Sequence, residues 1–235
     1  MILWFLLSLS QGVGNLIFPN PIDVFGEMFS LLGNGNTYGW IGFSILRTIE
    51  GFAIAFVSAL ILGSLAGNFK KLQTLFKPLI IVLKSAPTAA FVFLFIVLTD
   101  ASHATIFIVL LLAFPILYES VVAGINNIDK DVLDALRVDS NGGLKALVKI
   151  KVPLAIPYIV VGIASSFALS FKTEIMAEII TGNTDNGLGN AIRGYRNLDS
   201  SDLTPIFAIT LIAIIIILIV DLLGYFVKRH FEKKA

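Results

Sequence analysis

Six stretches of this chain stay apolar long enough to cross a bilayer, which takes about 20 residues of α-helix. They lie at residues 2–18, 45–66, 78–98, 104–125, 153–171 and 205–227. A backbone in hydrocarbon has no water to bond, so each span must satisfy its own N–H and C=O groups as a helix. The first stretch is the shortest and is interrupted by Gly12, Gly14 and Asn15. A signal peptide competes there, but no basic residue precedes the run, so it reads as a first span. Composition agrees: 57% of residues are hydrophobic, 14% are charged, and the mean hydropathy is +0.90. A soluble domain of 235 residues could not hide that much apolar surface. Disorder is excluded on the same grounds. A net charge of +1 offers no basic field for nucleic acid. The absence of cysteine removes disulfides, thiolate metal sites and a cysteine nucleophile. The expected fold is therefore all-α and integral to the membrane, with six transmembrane helices in one domain over residues 1–235.

The basic residues orient it. Thirteen of the 17 Lys and Arg residues fall on one side: Lys70, Lys71, Lys77 and Lys84, then Lys130, Arg137, Lys145, Lys149 and Lys151, then Lys228, Arg229, Lys233 and Lys234. That side is expected to be cytoplasmic. Both termini then lie inside, as an even number of spans requires. On the outer side, residues 19–44 read as a loop with a short surface helix at 22–32. Residues 99–103 make a tight turn. Residues 172–204 read as a long polar loop with short helical pieces.

The segment at 126–152 is the longest on the basic side. Asp129 is placed to cap a helix, with Asp131 in its first turn. Ile128, Val132 and Leu136 recur every four residues beside Leu133. Asn141, Gly142 and Gly143 break the pattern. A second amphipathic run follows, and Pro153 is expected to start the fifth span. This helix, glycine turn and helix forms a knob. The pattern alone leaves two readings open, a linker lying on lipid headgroups or a docking surface for a partner.

Catalytic motifs are missing. The sequence has no G-x-x-x-x-G-K-[ST], no H-E-x-x-H and no G-x-S-x-G. Its two histidines, His103 and His230, are far apart. No metal or cofactor is expected on the chain. Arg47 and Glu50 lie three apart and are expected to pair on one helix face. Glu119 is expected to bond a neighbouring helix, and Asp221 to lie near the interface with Lys228. Lys172, Arg193 and Arg196 are expected to pair with Glu174, Glu178 and Asp199. Gly63 and Gly67 form a G-x-x-x-G that permits close helix contact. Pro87 and Pro115 interrupt spans three and four.

Taken together, the residues carry a resemblance. Leu133-Asp134-Ala135-Leu136-Arg137, a glycine turn and Lys151-Val152-Pro153 resemble the "EAA" loop of ABC-importer permeases. Asp134 stands at the Glu position, with Ala135 and Leu136 at the two Ala positions. Ser140 stands where the family has Gly, and Gly142 and Gly143 supply the turn. Phe18-Pro19-Asn20-Pro21 is similar to the L-P-x-P entry of the nitrate, sulfonate and taurine-type permeases. Ser44, Arg47, Gly51, Phe52 and Ala55 resemble their S-x-x-R-x-x-x-G-F-x-x-A stretch. Lys84 to Pro87, Phe171 to Glu174 and Gly187-Leu188-Gly189 match further elements in order.

The resemblance implies a permease subunit of an ATP-driven importer in the bacterial cytoplasmic membrane. Two copies would form the path, and two separate ATPase subunits carrying ATP and Mg would dock below. A solute-binding protein would deliver cargo from outside. Val132, Leu133, Asp134, Ala135, Leu136, Arg137, Ser140, Gly142 and Gly143 would couple to the ATPase. Val132, Leu133 and Leu136 would enter its groove. Cargo would be a small solute such as nitrate, a sulfonate, taurine or a thiamine precursor. A stand-alone secondary transporter or channel is the alternative and would need charged or discontinuous mid-membrane elements. A membrane enzyme ranks behind both.

Overall fold

The computed structural model describes Trp4 and residues 19–139, 143–182, 186–198 and 201–232. Among them the chain is helical, with no strand. In order the helices are α1 (Pro21–Gly33), α2 (Gly35–Asn68), α3 (Lys70–Ser85), α4 (Thr88–Leu98), α5 (Ala101–Asn126) and α6 (Lys130–Asp139), followed by α7 (Leu144–Thr181), α8 (Leu188–Leu198) and α9 (Thr204–Glu232). Four of these, α2, α5, α7 and α9, are long and apolar enough to cross a membrane singly. α3 and α4 together make a fifth span, bent by 98° at the break. The expected first span at 2–18 lies outside the described residues, except Trp4. The Trp4 indole donates to the Pro19 carbonyl at 3.1 Å and packs on Phe207 of α9.

α5 is the central pillar, packed between α2 and α7. The seam with α2 is cut for close approach. A Cβ on Gly51 would lie 2.6 Å from the Ile106 carbonyl, and Cβ atoms on Gly63 and Gly67 would lie 2.9 Å from Val121 and Ile125. Buried Ala55 and Ala59 fill the turns between them. The expected G-x-x-x-G contact is thus one part of a longer seam with a period of four, which is how membrane helices gain packing without a hydrophobic drive. On the other side of α5, Gly124 meets Ala155 and Gly162 meets Ser120.

Several expectations needed revision: the second span begins at Gly35 rather than at residue 45, so residues 35–44 are helix and not loop. The fifth span does not begin at Pro153 or end at Phe171: α7 runs unbroken from Leu144 to Thr181. At its start, a π turn at Leu147–Lys151 sits directly before Pro153. Proline lacks the N–H that an α-helix would direct at Lys149, and the widened turn absorbs that loss without a break. At its end, two of the charged residues that mark residues 172–178 as a loop are turned into the protein: Glu174 and Glu178 are fully buried, while Lys172 is exposed. Lastly, the third span starts at Lys70 rather than at residue 78, and the interruption expected at Pro87 is a complete break: α3 ends at Ser85, and Pro87 takes the N-cap position of α4. The expected surface helix at 22–32 is found as α1, and its buried Val24, Met28 and Leu31 pack with Ile209 and Ile212 of α9.

Candidate functional site

The two ends of the bundle are built differently. At the end away from the lysines, α2 presents Ser44, Arg47, Thr48, Gly51, Phe52 and Ala55 on one buried face. α7 presents Gly162, Ser166, Ser170, Glu174 and Glu178, each four residues on from the last and all buried. The serine hydroxyls bond back to carbonyls one turn earlier, Ser166 to Gly162 at 2.6 Å and Ser170 to Ser166 at 2.8 Å, so they add no unmet polarity.

Glu178 is where these faces meet. Arg47 Nη1 donates to Glu178 Oε1 at 2.8 Å. The Ser44 hydroxyl lies 3.0 and 2.8 Å from the two carboxylate oxygens. The Gly189 N–H donates to Oε2 at 2.8 Å. Ser44 Oγ also accepts from the Leu188 N–H at 2.9 Å, and Arg47 Nη1 reaches the Asn186 carbonyl at 2.5 Å. The residues around Glu178 must be small. A Cβ on Gly187 would fall 2.2 Å from Oε1, and φ there is +150°. A Cβ on Gly189 would fall 2.4 Å from the Ile175 carbonyl. One carboxylate therefore ties α2, α7 and the α7–α8 connection into a lock. Glu174, one turn deeper, is fully buried, and neither of its oxygens has a hydrogen-bond partner among the described residues.

This arrangement overturns two expected pairings. Arg47 pairs with Glu178 and not with Glu50, which is exposed. A buried carboxylate left alone costs several kcal/mol, whereas Glu50 is not enclosed by the protein, so the guanidinium goes where desolvation makes it most valuable. Arg193 does not pair with Glu174 or Glu178. It lies against Gly182, whose φ is +64°, with Nη1 3.4 and 3.3 Å from the carbonyls of Ile179 and Ile180, at the end of α7. Lys172 and Arg196 are exposed, and Asp199 lies outside the described residues.

At the lysine end, α6 is capped as the sequence implies, with the Asp131 N–H donating to Asp129 Oδ1 at 3.1 Å. Val132 is 37% exposed, and Asp134 is exposed. Leu133 instead packs inward against the cluster that contains Val121, Ile125, Ile128 and Leu147. Leu136 is half-buried, and Gly143 forms the N-cap of α7. Ala135 and Arg137 lie on α6 with side chains outside the described set, as are Ser140 and Gly142 entirely. Lys151 donates to Asn68 Oδ1 at 2.6 Å and ties the foot of α7 to that of α2. Glu119 meets its neighbouring-helix partner: Lys84 of α3 lies 2.8 Å away, both about half exposed. Asp221 is exposed on α9. Among the described residues no group of His, Cys, Asp and Glu could hold a metal ion.

Sequence reasoning found Ser44 and Arg47 but assigned Glu178 to the surface. The signal was present in the four-residue stripe from Gly162 to Glu178, which continues the helix beyond the first charged residue.

Comparison with known proteins bears on both ends. The family described as "Binding-protein-dependent transport system inner membrane component" matches residues 59–234. The nitrate import permease protein NrtB of Leptolyngbya laminosa is 28% identical, covering 89% of this chain and 77% of its own length. A putative aliphatic sulfonates transport permease protein, SsuC, of Bacillus subtilis is 26% identical, covering 97% and 83%. Among solved structures, inward-facing conformations of the MetNI methionine ABC transporter share the fold. The TM-score is 0.71 and the identity 17%, over 87% of this chain and 97% of that one.

Proposed function

Because the chain belongs to the binding-protein-dependent transport system inner membrane components, the permeases of ABC importers, we propose that it moves a small anionic solute inward through a path formed with a second permease copy. The family match over residues 59–234 carries this reading. Cargo follows from two relatives named for nitrate and for aliphatic sulfonates. The permease itself performs no catalysis. Energy comes from ATP and Mg held on two separate ATPase subunits.

The end with 13 of the 17 basic residues faces the cytoplasm, and both termini lie there. The site residues Val132, Leu133, Asp134, Ala135, Leu136, Arg137, Ser140, Gly142 and Gly143 form the coupling loop. The inward packing of Leu133 supports a division of labour within it. Leu133 anchors α6 to the bundle, while Val132 and Asp134 face the ATPase groove. A pull on α6 is then transmitted through Leu133 to α5 and α7. The lock around Glu178 faces outward, where α8 and the α7–α8 connection offer a landing surface for a solute-binding protein.

Val132→Asp tests the docking. The variant should fold and insert normally but fail to retain the ATPase during purification, and ATP-driven uptake should disappear. Normal retention and uptake in this variant would remove α6 from the interface. Leu133→Asp should differ by lowering the stability of the permease itself.

A further inference from the structure

α3 is an unusual membrane segment. Lys70, Lys77 and Lys84 follow one another at seven-residue intervals. Seven residues are nearly two helical turns, so the three lie on one stripe. Gln73 and Thr74 lie beside it, while Leu75, Leu79 and Val82 are exposed on other faces. A lysine facing hydrocarbon is costly, so such a stripe is expected to face protein or water.

It faces a cavity. Between α3 and α5 at the lysine end is a space of about 540 Å³, lined among others by Gln73, Thr74, Lys77, Tyr118, Glu119 and Asn126. That is within the roughly 300–1,000 Å³ range of small-molecule sites. The one carboxylate in its wall, Glu119, is already paired with Lys84 at 2.8 Å. Lys77 has no ion pair or hydrogen bond among the described residues and leaves the wall with a net positive charge. The Tyr118 hydroxyl is buried and has no partner among those residues. The remaining polar lining consists of the Gln73 and Asn126 amides, which can donate, and the Thr74 hydroxyl, which is committed to a carbonyl of its own helix.

We propose that this cavity is an oxyanion site in which Lys77 recognises the charge and Gln73, Asn126 and the unpartnered Tyr118 hydroxyl supply hydrogen bonds. It deepens the importer reading and rests on it only for the direction of travel. The ligand chemistry, a small oxyanion, is shared by a solute in transit and by an anionic lipid headgroup.

The chain contains no cysteine, so one introduced thiol reports cleanly. Thr74 suits this role because its hydroxyl only bonds back to the Lys70 carbonyl, at 3.0 Å. In Thr74→Cys, studied as the full chain in phosphatidylcholine nanodiscs, a sulfonate-bearing methanethiosulfonate should react about tenfold faster than its trimethylammonium counterpart, as expected for a nearby unit charge. Adding Lys77→Gln should abolish that preference, and Lys77→Arg should keep it. Leu75→Cys, on another face, should show no dependence on Lys77. Slowing by sulfate identifies a solute site, and slowing only when phosphatidylglycerol is included identifies a headgroup site. An unchanged preference in Lys77→Gln, or a thiol that neither reagent reaches, would overturn the proposal. An unsubstituted chain that retained no ATPase would refute the importer reading without altering these rates, so the two failures are distinguishable.

Discussion

The end around Glu178 and the end around α6 contrast in how they treat charge. The first buries it and saturates it: one carboxylate receives Arg47, Ser44 and the Gly189 N–H, drawn from segments more than 130 residues apart. The second leaves charge exposed and loosely paired, as in Lys84 with Glu119, and keeps apolar Val132 at the surface. A saturated buried network has one good geometry and holds its elements in register. An exposed stripe and an exposed helix have many geometries and are free to take up partners. The contrast suits a transporter that is braced on one side and driven from the other.

Breaking the brace should give the largest effect. Glu178→Ala leaves Arg47 buried without its counter-ion, and about 3–5 kcal/mol of stability should be lost. Arg47→Ala should cost a similar amount. Replacing both with Met should cost less than the two single changes combined, and a double-mutant cycle of unfolding in detergent measures the difference. A strictly additive result would mean that the pair acts independently. Next comes the α2–α5 seam. Gly51→Val would force apart backbones already in contact and should cost about 1–3 kcal/mol. Gly39→Ala, which meets nothing within 4 Å, should be near neutral or slightly stabilising in the same assay.

The exposed end should respond weakly. Lys84→Gln should change stability by at most about 1 kcal/mol, because the Lys84–Glu119 pair is half solvated. The smallest effect concerns the turn before α5. The His103 backbone N–H, followed by its ring, holds the Asp100 carboxyl below the usual carboxylate range. A carboxylate depressed in the folded state contributes stability above its unfolded pKa, and loses it as pH falls through the lower folded value. The protection factor of the His103 amide, which donates to Asp100 Oδ1 at 3.0 Å, should therefore fall in acid relative to the intrinsic exchange rate, and Asp100→Asn should flatten that dependence.

Much of this architecture was legible in the sequence, and the reasons are local. Apolar runs marked the helices, Asp129 marked a helix start, and Gly63 and Gly67 marked the close seam. The misread features depend on distant partners. Lys172, Glu174 and Glu178 look like the start of a loop until Arg47 and Ser44 are brought to them from another helix. Pro153 looks like a helix start until a π turn accommodates it. The bend at Pro87 was signalled by the proline, but its size depends on what α3 and α4 pack against. Of the residues proposed to couple to the ATPase, periodicity placed Val132, Leu133 and Leu136 on one α6 surface. It could not say that Leu133 faces the bundle, because that requires the position of α5 and α7.

The central claim is that this permease has no motor of its own and admits its anion only when ATPases drive it. Flux of sulfate or nitrate into proteoliposomes tests it most directly, comparing the purified chain alone with the chain assembled with its ATPases and solute-binding protein. The account predicts no flux from the chain alone with or without ATP, and ATP-dependent uptake from the assembled complex. Saturable flux through the isolated chain in the absence of ATP would contradict it.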